Sequence, residues 1–375
     1  MSIQHRPDRP KPWRARYYGP DGKERSRSFR RKIDAERFLA AQTTDIARGQ
    51  WLDAARGRTP VADLVEQWYR TTVDLRPSTR VRIRGVLDNY VLPQWGGHDV
   101  AGVEHLAVRE WVAELSADGL APRSVRKVFH TFGKILATAV DAGMIAASPC
   151  DRVPLPRAGH DEMRFLTAGQ VLTLADAIDE RYRTMTLVLG FGGLRMSEAA
   201  GLRRRQVDAL RGTVRVVETA VEAGGVVELG PPKSRAGRRT VPLATVAADA
   251  LRDHLAERPD LDAQVFTSPE GKVLRATTWR RRFFDSAVRA VGLEPLRPHD
   301  LRHTAVSLWI AAGDNPKVVS VRAGHSSVAF TLDVYGHLYP EHDERSRARL
   351  DALIAEAEPP PDATVHELHK RTDSA

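Results

Sequence analysis

Residues 60–143 contain four segments in which apolar side chains recur at helical spacing, and glycine or proline residues separate them. In the first segment, Val61, Leu64 and Trp68 follow a proline, an order typical of a helix that begins at that proline. The other three segments are PSTRVRIRGVLDNYVLP, EHLAVREWVAELSADG and APRSVRKVFHTFGKILATAVDAG. The pattern predicts a compact bundle of about four helices.

The N-terminal sequence WRARYYGPDGKERSRSFR carries arginines on both sides of a GPDGK turn, which predicts a β-hairpin. A helix closed by Gly49 is predicted next, and its expected buried residues are Ile33, Phe38, Leu39 and Ile46. Together these elements form a small β-plus-helix module whose sheet would lay a basic face against a DNA groove. The arginines expected on that face are Arg14, Arg16, Arg25 and Arg27. An ordinary solvated basic face is the alternative.

From about Arg164 to Glu358 the chain is predicted to be mostly helical around a short β region. Thr167 is expected to cap the first of these helices. The β region is GTVRVVETAVEAGGVVELGPPKSRAGRRTVPL, in which valines alternate with other residues and Gly-rich turns intervene. The last helix, EHDERSRARLDALIAEA, has an apolar face formed by Leu350, Leu353, Ile354 and Ala357.

We therefore expect a mainly α chain with small β elements, an α+β class, in five parts. These are a basic N-terminal module at residues 1–55, the helical bundle at 56–152, a proline-stiffened linker at 153–163, a mostly helical domain with a small antiparallel sheet at 164–358, and a tail at 359–375. The tail is expected to be disordered.

The charge balance favours nucleic acid as the partner. Lysine and arginine outnumber aspartate and glutamate, which gives a formal net charge of +9, and the pI is about 9.9. The excess is mostly arginine, whose guanidinium makes bidentate contacts with phosphate. The alternative is an arginine-rich protein from a GC-rich genome without such a partner.

Composition also disfavours several other classes of protein. The single cysteine, Cys150, has no internal partner for a disulfide, and no histidine and cysteine cluster has zinc spacing, so neither a metal nor a cofactor is expected. No apolar run approaches the ~20 residues that cross a bilayer. The N-terminus lacks the apolar core of a signal peptide, so we expect a cytoplasmic protein without membrane contact.

The segment RPHDLRHTAVSLW places His299 and Arg302 three residues apart, and therefore on one face of a helix that begins there. Because a helix N-terminus already attracts anions, these side chains favour a phosphate or carboxylate ligand. Gly313 predicts the helix end, and the apolar face is expected to be Leu301, Ala305, Leu308 and Ala312. The alternative is that His299 and His303 only cap the helix and pack beneath a loop.

A second motif, GGLRMSEAAGL, has Arg195 directly after Gly193 and Leu194, and Glu198 three positions later. Glycines permit the close approach of a ligand or of another backbone. A carboxylate at this spacing can hold the guanidinium in one orientation. On its own, however, such an Arg–Glu pair is a common surface feature.

Taken together, the motifs resemble those of the tyrosine recombinases of the phage integrase family, and the resemblance covers most of the chain. The family's Gly-Leu-Arg-x-Ser-Glu box is matched around Arg195, its His-x-Leu-Arg-His box around Arg302, and its Gly-His-Ser box at His325. Its hairpin lysine is similar to Lys233 in PPKSRAGRRTVPL. Its nucleophile corresponds to Tyr335 in TLDVYGHL.

This resemblance implies a metal-free transesterification in which DNA is joined through its 3′-phosphate to Tyr335 and a 5′-hydroxyl is released. The two arginines and His325 would stabilise charge on the non-bridging oxygens. Lys233 would protonate the leaving oxygen, and His299 would accept or relay the tyrosine proton. The expected catalytic residues are Arg195, Lys233, His299, Arg302, His325 and Tyr335, with Glu198 and His303 in support.

Alternatives stay open at several positions. Tyr339 would lie one helical turn beyond Tyr335, although the context of Tyr335 fits the family better. The loop of Lys233 is crowded by Arg235, Arg238 and Arg239, which cannot readily give up a proton. One helix of the bundle would turn a row of basic residues towards phosphates or simply towards solvent, and these are Arg123, Arg126, Lys127, His130 and Lys134.

The main hypothesis is an integrase that joins a phage or mobile-element attachment site to a chromosomal one. By resemblance it would act as a homo-tetramer on double-stranded DNA, with an arm-site-binding N-terminal module, a core-site-binding bundle, and a C-terminal helix docked on a neighbouring subunit. A directionality factor and a host DNA-bending protein are further partners that the sequence leaves open. The alternatives are a chromosome-dimer or plasmid resolvase of the same chemistry, a type IB topoisomerase-like enzyme, and a non-catalytic DNA-binding regulator.

Overall fold

The computed structural model describes residues 1–49, 51–53, 55–159, 163–256, 258–339 and 343–357. Contacts divide these residues into two compact units, one built from the residues up to 162 together with 222–226 and the other from the remainder. The predicted class, mainly α with small β elements, is confirmed. The predicted disordered tail, 359–375, lies outside the described residues.

The first unit begins with a three-stranded antiparallel sheet and a helix. Its elements are β1 Ser2–His5, β2 Trp13–Tyr18, β3 Glu24–Phe29 and α1 Lys32–Ala47. The predicted hairpin is confirmed as β2 and β3, and β1 is an additional strand. The prediction for α1 is wrong at Ile33, which is 45% exposed. The small sheet covers only a narrow face of the helix, centred on Ala35 and on Phe38, which contacts Tyr17 and Phe29.

The prediction of one basic sheet face is wrong for two of its four arginines. Arg25 pairs across the strands with Tyr17, and Arg27 pairs with Ala15. Cross-strand partners lie on the same face of a sheet, so both arginines lie on the side that packs against α1. The Arg27 guanidinium lies 5.5 Å from the ring centroid of Phe38.

Arg25 has a structural role in the first unit. It donates to Asp21 at 2.7 Å and to the buried Asp53 at 2.5 Å, and its guanidinium lies 4.5 Å from the ring of Trp51. The opposite face of the sheet keeps Arg14 and Arg16, and Arg16 is paired with Glu24.

The predicted helical bundle is confirmed. It contains α2 Val61–Thr71, α3 Pro77–Val86, α4 Leu92–Trp95, α5 His105–Ala117 and α6 Pro122–Asp141, with a π-helical turn at Leu87–Val91 between α3 and α4. Its core is aromatic: the ring of Trp95 stacks on Phe132 at 5.4 Å and meets Trp111 edge-on at 5.7 Å. Cys150 is a buried free thiol beside this core.

The second unit surrounds a long, almost completely buried helix. Its helices are α7 Ala168–Ala177, α8 Glu180–Gly192, α9 Met196–Gly201, α10 Thr245–Ala256, α11 Ala276–Trp279, α12 Asp285–Ala290, α13 Pro298–Ala311, α14 Pro316–Ala323, α15 Val328–Tyr335 and α16 Asp343–Ala357. The central helix is α8, which packs against α7, α10 and α13. As predicted, Thr167 caps α7, since its hydroxyl accepts from the backbone N–H of Gln170 at 3.2 Å.

Two small β elements lie beside these helices. The strands are β4 Val207–Asp208, β5 Thr213–Val216, β6 Thr219–Ala223, β7 Val226–Gly230 and β8 Arg239–Pro242. Strands β4, β5 and β8 form an antiparallel sheet, and β6 pairs with β7. Lys233 lies on the loop that joins β7 to β8.

Among the described residues, no helix is both long enough and apolar enough to cross a membrane. The predicted apolar face of α16 is largely open, because Leu350, Leu353 and Ile354 are all more than half exposed. The predicted apolar face of α13 holds at Leu301 and Ala305, which are fully buried, but not at Ala312, which is exposed.

Candidate active site

Helix α8 is followed by Gly193, a position that only glycine can occupy. Gly193 has a φ of +62°, and a Cβ there would lie 2.7 Å from the ring of Trp309 on α13. The tight turn lets the chain reverse next to α13. It places Arg195 at the N-terminus of α9, with its side chain partly exposed.

Glu198 holds this turn together. The carboxylate is 2% exposed and accepts from the backbone N–H and the guanidinium of Arg195, both at 2.8 Å. It also accepts two parallel hydrogen bonds, each 2.9 Å long, from Arg239 on β8. Burial raises the pKa of Glu198, but the hydrogen bonds and charge of Arg239 outweigh burial and lower that pKa overall. Glu198 therefore stays ionised and fixes the direction of Arg195.

Arg302 is the second cation of the cluster. Its side chain, on the first turns of α13, is only 3% exposed, and it donates to the carbonyl of Gly193 at 2.6 Å and to the carbonyl of Ala323. Burial and the nearby positive charge of Arg195 lower the pKa of Arg302. Since a guanidinium starts from a pKa of about 12.5, the group is still charged at neutral pH.

His325 lies directly after a second glycine that the geometry requires. Gly324 ends α14 with a φ of +65°, and a Cβ there would lie 2.9 Å from the carbonyl oxygen of Ala236, on the loop of Lys233. Nδ1 of His325 is 2.8 Å from the hydroxyl of Thr331. Burial, with the charges of Arg302 and Arg195, lowers the pKa of His325 to about 4, so the ring is neutral at pH 7.

Tyr335 is the last residue of α15 and lies inside the cluster. Its side chain is 2% exposed, and its ring is parallel to that of His325 with a centroid separation of 5.9 Å. Burial raises the pKa of the Tyr335 phenol to about 12, against the opposing charges of Arg302 and Arg195. The phenol therefore keeps its proton at neutral pH and needs a proton acceptor to become a nucleophile.

The structure gives the two histidines of α13 different places from those expected. Nδ1 of His303 is 2.6 Å from the hydroxyl of Tyr335. From the sequence we expect His299 in this position and His303 behind the site. His303 lies one helical turn closer to α15, and its ring meets that of His299 at a right angle, 4.8 Å away. Burial and then the charges of His303 and Arg302 lower the pKa of His299 to about 4.

Two further predictions concern the lysine and the second tyrosine. Lys233 is exposed on its loop, three residues before the Ala236 carbonyl that approaches Gly324. Tyr339 does not lie one helical turn beyond Tyr335, because α15 ends at Tyr335 and a 3-10 turn follows at Gly336–Leu338. The ring of Tyr339 packs on the small core of α13 and α14 instead.

Arg239 is part of the site, although from the sequence it is expected only to crowd the loop of Lys233. Besides its bonds to Glu198, it donates through Nε to the carbonyl of Arg322 at 2.7 Å, at the end of α14. A signal was available in the sequence, since β8 alternates and puts Arg239 on the same buried face as Val241. A charged side chain on such a face requires a buried partner of opposite charge.

Two of the cations on α6 that are predicted to contact phosphate have hydrogen-bond partners within the first unit. Arg123 donates to the carbonyl of Gly159 at 3.2 Å and Arg126 to that of Pro156 at 3.5 Å, so both hold the segment after the bundle. Lys127 is exposed, and burial and the charge of Arg82 on α3 lower its pKa. Lys127 and Arg82 are therefore neighbouring cations.

The hydrogen-bond donors of the cluster are guanidinium groups and imidazoles. The buried carboxylate of Glu198 accepts from two of the guanidinium groups. Among the residues that the structure describes, no three histidine, cysteine, aspartate or glutamate side chains are grouped so that they would hold a metal ion. Fixed guanidinium groups next to a buried phenol suit an anion with charge on several oxygens, such as a phosphodiester.

Two family models match the chain. One is the phage integrase family, which matches residues 164–342, and the other is the N-terminal domain of phage integrases, which matches residues 9–48. Together they cover more than half of the sequence, and the first contains the whole cluster around Arg302 and Tyr335.

Individual relatives agree with these matches. An integrase ascribed to prophage phiRv2 of Mycobacterium tuberculosis (strain H37Rv) is 28% identical over 359 residues, 92% of this chain and 94% of that protein. The Tn1549 transposon integrase in complex with a circular intermediate DNA shares the fold with a TM-score of 0.65 and 20% identity, over 78% of this chain and 99% of that one. A lambda integrase tetramer bound to a Holliday junction gives a TM-score of 0.56 at 16% identity, over 87% and 95%. The chain therefore belongs to the phage integrase family and is a site-specific tyrosine recombinase.

Proposed function

We propose that this recombinase cuts and rejoins double-stranded DNA at specific attachment sites through a 3′-phosphotyrosine at Tyr335, and that it integrates and excises a phage or other mobile element. The observation that carries the proposal is the position of Tyr335. Its ring is stacked on His325, and burial raises the pKa of its phenol against the opposing charges of Arg302 and Arg195.

Arg195 and Arg302 are proposed to bind the non-bridging oxygens of the scissile phosphate. Both guanidinium groups are already oriented, the first by Glu198 and the second by the carbonyls of Gly193 and Ala323. Preorganised donors stabilise the charge of a pentacoordinate phosphorus without reorganising when it develops. His325, neutral and fixed by Thr331, would add a hydrogen bond to the same oxygens.

Lys233 is proposed as the acid that protonates the departing 5′-oxygen. It is the loop residue that matches the family's lysine, and its loop approaches the site at Gly324. A lysine ammonium can give up a proton, whereas the neighbouring Arg235 and Arg238 remain charged. The phosphotyrosine bond keeps the energy of the broken linkage, so the 5′-hydroxyl of a second DNA would close the strand without ATP.

Assembly on DNA is part of the same proposal. The lambda and Tn1549 integrases named above are bound to DNA in their structures, and the lambda protein is a tetramer there. We propose a tetramer for this chain as well, with the exposed apolar face of α16 on a neighbouring subunit. The sheet face of Arg14 and Arg16 and the cations Lys127 and Arg82 are the proposed phosphate contacts of the first unit.

We also propose the kind of recombination, the accessory partners and the cellular location. The match of residues 9–48 to an integrase N-terminal domain favours integration over the resolution of chromosome or plasmid dimers. A directionality factor and a host DNA-bending protein would be its accessory partners. Its site of action would be the cytoplasm, where the chromosome of a bacterial host lies.

The test is covalent capture on a nicked suicide substrate. This DNA carries the attachment site that flanks the mobile element encoding this protein. The cleaved strand loses a short 5′-hydroxyl fragment, so rejoining is blocked and the adduct accumulates. We expect a protein–DNA band that survives denaturation and forms without added divalent metal. Specific binding of the same DNA without any adduct would identify a regulator and overturn the proposal.

A further inference from the structure

The hydroxyl of Tyr335 already has a hydrogen-bond partner in the resting site, and the partner is His303. The distance from Nδ1 of His303 to Oη of Tyr335 is 2.6 Å, which is short for a hydrogen bond between a nitrogen and an oxygen. Both groups are held from other directions. Tyr335 is fixed by burial and by the parallel ring of His325, and His303 lies within helix α13.

The geometry points to His303 as the proton acceptor of Tyr335 during DNA cleavage and as the proton donor to the same oxygen during rejoining. This inference rests on the proposed function, because it assigns a partner to the nucleophile of that reaction. It takes the acid–base role away from His299, which we expect to act only as a hydrogen-bond donor to the phosphate.

The protonation states suit this role. Burial lowers the pKa of His303, with Asp300 raising it and Arg302 lowering it further, so the imidazole is neutral at pH 7. Burial raises the pKa of Tyr335, so the phenol is protonated. The phenol can then donate to an unprotonated Nδ1, which leaves the ring proton of His303 on Nε2.

In cleavage, the Oη–H bond of Tyr335 breaks and an N–H bond forms at Nδ1 of His303. A bond forms between Oη and phosphorus while the bond from phosphorus to the 5′-oxygen breaks. That oxygen takes a proton from Lys233. Cleavage therefore leaves His303 with one proton more and Lys233 with one proton fewer, and the 5′-hydroxyl carries the proton that Lys233 lost. Rejoining runs the same transfers in reverse, and no oxidant, reductant or metal is required.

His299 is less suited to the role. Among the described residues its ring contacts that of His303 and not that of Tyr335. Burial, and then the charges of His303, Arg302 and Arg195, lower the pKa of His299 to about 4. So weak a base would contribute little as a proton acceptor.

The pH dependence of cleavage follows from the groups around His303. On α13 these are Asp300, Arg302 and His299, and from the α14–α15 side they are His325 and Tyr335. Because the pKa of His303 lies below the ordinary 6.5, the wild-type rate should be level above about pH 6.5 and fall as the imidazole is protonated at lower pH.

The test measures the rate of covalent capture from pH 5.5 to 9 for the wild type and for His303→Asn. The asparagine oxygen lies close to the place of Nδ1 and accepts a hydrogen bond, but it takes up no proton in this range. We expect His303→Asn to cut the rate by roughly 10²–10⁴-fold, as the loss of a general base does. Its remaining rate should rise with pH where the wild type is level, since only ionised phenol then reacts.

A second readout separates proton transfer from structural damage. Fluorotyrosine at position 335 is a more acidic nucleophile that depends less on a base, so it should restore much of the rate of His303→Asn. His337→Asn is the matched control, because it makes the same change two residues from Tyr335 at an exposed ring, and its rate should be that of the wild type. If His303→Asn fails to fold, His303→Gln replaces it.

Three results would overturn the inference. They are a His303→Asn rate equal to that of the wild type, a faster rate, which would make the bond a restraint on the resting tyrosine, or a defect that fluorotyrosine leaves unchanged. Absence of an adduct from the wild-type chain would instead overturn the proposed function, and this inference with it.

Discussion

Replacing Tyr335 by phenylalanine is expected to abolish covalent capture of DNA, with no adduct detectable under conditions that convert the wild type completely. Phenylalanine keeps the ring that stacks on His325 and removes only the oxygen bonded to His303. Phosphate binding by Arg195 and Arg302 does not involve that oxygen. Affinity for the attachment-site DNA, measured by gel shift, should therefore change by less than a factor of about three, a difference of ~0.6 kcal/mol.

Tyr339→Phe is the matched control for this experiment. The Tyr339 ring belongs to the packing of α13 and α14, and its hydroxyl is buried without a hydrogen-bond partner among the described residues. Its removal leaves no donor or acceptor unpaired, so Tyr339→Phe should form the adduct at the wild-type rate. An adduct that persists in Tyr335→Phe and disappears in Tyr339→Phe would show that the nucleophile is misassigned.

The second large effect is expected at Glu198. Glu198→Gln removes the only negative charge that faces Arg239 at 2.9 Å and Arg195 at 2.8 Å, among the residues described here. Breaking a buried pair by removing one partner leaves an uncompensated charge, and its typical cost is about 3–5 kcal/mol. Urea unfolding should show a loss of this size, and cleavage should fall because Arg195 is no longer held.

The pH dependence of stability provides an independent check on Glu198. Its pKa is lower in the folded protein than the ordinary value of 4.5, so its stabilising contribution is complete above pH 4.5 and is lost as the pH falls through the folded pKa. Glu198→Gln should lack this component. Asp176→Asn, which breaks the exposed pair with Arg183, is the control and should change stability far less. Equal effects of the two substitutions would contradict the role given to Glu198.

Much of the fold was predictable because local signals and packing agree. The bundle helices carry apolar stripes of the correct period, and the hairpin of β2 and β3 is set by its GPDGK turn. Prediction fails where periodicity favours burial but the neighbouring element is too small to cover the side chain. Ile33 has a helical spacing that suits burial, but a three-stranded sheet cannot cover it.

The candidate site was predictable residue by residue, but its internal contacts were not. The resemblance to the tyrosine recombinases points to Arg195, Arg302 and Tyr335, and it cannot say which histidine meets the phenol. That outcome depends on the angle between α13 and α15, a tertiary property that placed His303 and not His299 against Tyr335. The partner of Arg239 is hidden for the same reason, because Glu198 lies 41 residues away in the sequence.

Peptide mapping of the wild-type adduct would show whether Tyr335 joins DNA through a 3′-phosphate inside this pocket. The adduct formed on the suicide substrate would be digested with protease and nuclease, and the modified peptide sequenced by mass spectrometry. We expect a nucleotide on Tyr335, together with a released strand that bears a 5′-hydroxyl. A nucleotide on any other residue, or a released 5′-phosphate, would contradict this expectation.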